Sequence, residues 1–66
     1  MTLEQYKIET LKASNKQDLY EIAGQLNNRP EHVNVDKVTF MAFLDLEESR
    51  QYVLKIIEKS TQVLNK

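Results

Sequence analysis

Residues 33–44 read Val-Asn-Val-Asp-Lys-Val-Thr-Phe-Met-Ala-Phe-Leu, and their conformation decides the fold. Wound as a helix, Val35, Val38, Met41 and Ala42 face one way, while Phe40, Phe43 and Leu44 cover the rest. That is the pattern of a helix buried on most sides. Stretched as a strand, Val38, Phe40, Ala42 and Leu44 alternate with Thr39, Met41 and Phe43. Val, Thr and Phe favour strands, whereas Met, Ala and Leu favour helices. The strand reading gives a β-α-β-α chain with only two strands. Two strands are marginal alone, so that chain would pair its strands in a dimer. The expected fold class is mainly α, a small three- or four-helix bundle, with the α+β dimer as the alternative.

The flanking segments are more strongly marked. On the C-terminal side, Asp45-Leu46-Glu47-Glu48 has the form of a helix start. Asp45 can cap, Glu48 can reach back, and both glutamates suit the positive end of the helix dipole. Beyond it Leu46, Val53, Ile57 and Leu64 form an apolar stripe, widened by Ile56, Ser60 and Val63. Gln51, Lys55, Glu58 and Lys59 fall opposite, which predicts an amphipathic helix of about five turns. On the N-terminal side a second helix is predicted over residues 16–27, with Leu19, Ile22, Ala23 and Leu26 as its apolar stripe. Ser14 with Gln17, or Asn15 with Asp18, provides its cap, and Asn27, Asn28 and Pro30 stop it. Gly24 inside it admits a close neighbour or is simply tolerated. Residues 2–13 are ambiguous. Thr2 and Gln5 offer a capping box, and Leu3, Tyr6 and Thr10 share a helical side, but Tyr6, Ile8 and Thr10 also alternate as in a strand. The core expected from these patterns is Leu19, Ile22, Leu26, Val38, Phe40, Met41, Leu44, Val53, Ile57 and Leu64.

Composition bounds what such an object can do. The chain has 66 residues, with one glycine, one proline, one histidine and no cysteine. A single domain of this size buries only about 60% of its unfolded surface, and disulfides are not available to it. Self-association or binding to another protein is the remaining staple. Nine basic against ten acidic residues give a net charge of −1, not the basic field of a protein that coats DNA or membranes. No segment approaches the ~20 apolar residues of a membrane span, and the residues from Met1 onward give no expectation of a secretory signal. A cytoplasmic protein is expected, without membrane contact.

Residues with catalytic potential are few. His32 is the only imidazole, and its neighbours Pro30, Glu31 and Val33 suggest a loop. There is no thiol, and Ser14, Ser49 and Ser60 fall at a cap or within a helix, where hydroxyls serve structure. His32 and Asp36 are four apart, but a metal site needs three or four ligands and a supporting shell. Glu47 and Glu48 are adjacent and so diverge by about 100° on a helix. One glycine cannot build a phosphate loop. No catalytic residue, metal, cofactor or small-molecule ligand is expected.

The stretch Asp18-Leu-Tyr-Glu-Ile-Ala-Gly-Gln-Leu-Asn-Asn-Arg-Pro-Glu-His-Val33 resembles the helix-turn-helix of bacterial DNA-binding proteins. Ile22 and Ala23 fall on the first helix, Leu26 ends it, Pro30 and Glu31 open the second, and Val33 anchors it. The resemblance covers about a quarter of the chain. It departs at Asn27, where glycine is usual, and at Asn28 and Asp36, where apolar residues are usual. It implies a reading element over residues 29–37, with Arg29, His32, Asn34 and Lys37 facing the groove. Those are types suited to phosphate and base contacts. A plain helix–turn–helix corner of a bundle accounts for the same residues.

The apolar content points elsewhere. Phe40, Met41, Phe43, Leu44 and Leu46 crowd into seven positions, which reads either as the core of the monomer or as apolar surface that so small a domain leaves uncovered by its own helices, and the two readings merge in an obligate dimer. An aromatic and methionine patch of that kind marks a protein interface. The expected function is therefore a non-catalytic interaction or regulatory protein that binds protein partners through helical surfaces, a second copy of itself included. A helix-turn-helix DNA-binding regulator is the alternative. Short, cysteine-free, near-neutral chains of this kind occur among small bacterial and phage-encoded regulators.

Overall fold

A computed structural model of the chain describes residues 2–29 and 34–64, with side chains as far as residue 62. It contains four helices: α1 (Leu3–Lys12), α2 (Lys16–Asn27), α3 (Lys37–Phe43) and α4 (Leu46–Leu64). The mainly α reading therefore holds, and residues 37–43 are helix, not strand. The 19 residues of α4 span about 28 Å at 1.5 Å per residue, close to the 32 Å long axis of the molecule. The other three helices pack along α4, and α2 also touches α1 and α3. Among the described residues α1 and α3 do not meet, and no helix is long and apolar enough to cross a membrane.

Local chemistry starts each helix. Thr2 and Gln5 form a complete capping box at α1, and the Asn15 carboxamide accepts the Asp18 amide at 2.9 Å at α2. Asp45 accepts the Glu48 amide at 2.8 Å, and the Glu48 carboxylate accepts the Asp45 amide at 3.4 Å. α1 turns Leu3, Tyr6 and Thr10 inward at helical spacing, and Ala13 just beyond its end is buried as well. The Thr10 hydroxyl donates to the Tyr6 carbonyl at 2.7 Å, so a polar residue can sit in that stripe without an unpaired group.

The core gathers Leu19, Ala23 and Leu26 from α2, Phe40 from α3, and Val53 and Ile57 from α4, together with Val35 and the α1 face. Ile22, Met41 and Leu44, expected inside, are half-buried against it. Val38 is a correction. It was expected in the core and is 75% exposed. A helix of seven residues can turn only one narrow face inward, and here Phe40 takes that face. Val38, two residues earlier, is rotated by about 200° and points out. The side chain of Leu64 lies outside the described residues.

Two basic residues tie the helix ends together. The Lys16 ammonium donates to the carbonyls of Met41 and Leu44, at 2.7 Å each. The Arg50 guanidinium donates to the carbonyls of Thr10 and Leu11, at 2.7 and 2.9 Å, and its Nε donates to Glu47 at 2.9 Å. Each places a cation on backbone carbonyls at a helix C-terminus, where the dipole favours positive charge. Lys16 thus fastens α2 to the end of α3, and Arg50 fastens α4 to the end of α1.

Candidate protein interface

The segment before α3 is held by the side chains of Asn27 and Tyr52. The Asn27 carboxamide donates to the Val35 carbonyl at 3.0 Å and accepts the Val35 amide at 2.6 Å, which reproduces the pairing of a strand neighbour. The Tyr52 hydroxyl accepts the Asp36 amide at 3.0 Å. Asp36 then caps α3. Its carboxylate accepts the Thr39 amide at 3.1 Å and the Thr39 hydroxyl at 2.6 Å. Those bonds, with the hydroxyl foremost, hold the Asp36 carboxyl below its ordinary pKa of 3.8.

α3 is fixed from below as well. The Phe40 ring lies 6.3 Å from the Tyr52 ring at a 50° tilt, and the buried Ser49 hydroxyl donates to the Phe40 carbonyl at 3.4 Å. Serine at this point of α4 leaves room for α3 to approach. With Phe40 pinned inward, helical geometry dictates the rest. Taking Val38 as zero, Ala42, Thr39 and Phe43 follow at about 40, 100 and 140°, with Phe40 near 200°. All four outer residues are exposed. Phe43 is 81% exposed. The outer face of α3 is therefore an uncharged arc of Val38, Thr39, Ala42 and Phe43.

The five residues expected to form an interface are thus divided. Phe40 belongs wholly to the core, Met41, Leu44 and Leu46 are half-buried against it, and Phe43 alone stands free. Val38 joins Phe43 on the surface, which the residue types alone could not indicate. Beside this face lies a shallow, mainly apolar depression of about 440 Å³, lined by Leu44, Glu47, Glu48, Gln51, Tyr52 and Lys55. Leu44 and Tyr52 form its apolar part, and the charged residues form its rim.

The residues suggested by the helix-turn-helix resemblance are not carried on one helix. Residues 34–36 are non-helical, so the second helix expected to open at Pro30 does not run through them, and α3 starts only at Lys37. Asn34 is exposed in that connection. The Lys37 ammonium lies 4.9 Å from the centre of the Tyr20 ring, and the Arg29 guanidinium 5.6 Å from that of Tyr6. His32, like Pro30, Glu31 and Val33, lies outside the described residues. Asn27, where the resemblance expects glycine, has instead the structural task of holding Val35.

A second concavity, of about 420 Å³, lies between α1 and α2. It is lined by Glu9 and Lys12 from α1 and by Asp18 and Glu21 from α2, with Tyr6, Ala13 and Ile22, and the Tyr6 hydroxyl donates to Gln25 at 3.1 Å. Among the described residues no three acidic, histidine or cysteine side chains converge as metal ligands would. No protein-family model, curated protein or solved structure matches the chain.

Proposed function

We propose that the chain is a non-catalytic interaction module of the cytoplasm that binds protein through the outer face of α3. The observation that carries this reading is the exposure of Phe43 and Val38 on a helix whose position is otherwise determined at both ends. Leaving large apolar side chains in water forgoes about 1.5–3 kcal/mol each relative to burial. A binding partner recovers that energy without reordering the helix, because Lys16, Asp36 and Phe40 already hold it. The hydroxyls of the buried residues Thr10 and Ser49 are spent on backbone carbonyls, and that of Tyr6 on the Gln25 side chain.

Photo-crosslinking tests the proposal. A benzophenone side chain at position 43 and, as control, at the exposed position 7 of α1 would be irradiated in living cells. Position 43 is expected to give a discrete protein adduct, a second copy of the chain counting as one, and position 7 none. Equal adducts from both positions, or none from 43, would overturn it.

A further inference from the structure

We draw no further inference here: the strongest candidate, the concavity of about 420 Å³ between α1 and α2 edged by Glu9, Asp18 and Glu21, is a cluster of acidic residues with no second observation to identify a ligand, the buried Tyr6 hydroxyl beside it being already bonded to Gln25.

Discussion

Phe40 and Val38 stand two residues apart in the stretch that decides the fold, and replacing each in turn is a strict test of how that stretch is wound. A strand puts both side chains on one face, whereas the helix separates them by about 200°. Phe40 is fully buried, stacked on Tyr52, and Val38 is 75% exposed. Phe40→Ala would remove about 3–5 kcal/mol, as much as a core of this size supplies in total, and would unfold the chain. The informative variant is Phe40→Leu, which keeps an apolar group of similar bulk and loses the ring contacts, at about 1–1.5 kcal/mol. Val38→Ala removes two methyl groups already in water and should stay within about 0.5 kcal/mol of the natural sequence. Urea unfolding followed by helical circular dichroism reads both. At a slope of about 1 kcal/mol per molar, Phe40→Leu should lower the midpoint by about 1 M or more, and Val38→Ala should leave it in place. The protein is kept at a few micromolar so that self-association adds nothing to stability. Comparable losses at the two positions would refute the assigned face of α3.

Three further outcomes follow from the same contacts. Gly24→Ala should stabilise α2 by about 0.5–1 kcal/mol and raise Tm, because the nearest atom to an added Cβ is the flexible Lys37 ammonium at 3.7 Å; a lower Tm would show that the glycine permits a close approach after all. Arg50→Met keeps the buried stem but strips the charged donor from the α1 carbonyls, and should cost about 1.5–3 kcal/mol in the same urea assay; a neutral result would mean water replaces the guanidinium. Asp36 titrates below its ordinary pKa of 3.8 in the folded chain, so its contribution to stability is complete above that value and fades only as the pH falls through the lowered one. The Thr39 amide resonance should accordingly hold steady down to about pH 4 and move below it, and a midpoint at or above the ordinary value would contradict the cap.

Where a helix announces itself in short-range chemistry, the chain is readable. The capping residues Thr2, Asn15 and Asp45 each accept the bond their type suggests, and the stripes of α2 and α4 bury Leu19, Ala23, Leu26, Val53 and Ile57. α1 was harder because its inner face hides a polar residue. Thr10 breaks the apolar stripe, while Ile8 and Leu11 imitate one on the solvent side. The hydroxyl bond from Thr10 back to Tyr6 removes the penalty, but no spacing rule reveals it. α3 was illegible for another reason. Apolar residues cover every side of it, so periodicity cannot choose between Val38 and Phe40. The choice is made from outside, by Tyr52 and Ser49 on α4 and by Lys16 on α2, through contacts distant in sequence. The interface residues inherit that ambiguity. Crowding marks the segment, and only the packing divides Phe43, which is exposed, from Phe40, which is buried.

An amide NMR dilution series would test the role of the α3 face most directly, because it reports on every residue as copies of the chain come apart. Where a second copy is the partner, the account predicts concentration-dependent shifts confined to residues 38–44 and to Glu48, Gln51, Tyr52 and Lys55, with α1 unmoved. A spectrum that does not change with concentration would leave the face to a partner other than a second copy, and shifts centred on Ile8 and Leu11 would contradict the account.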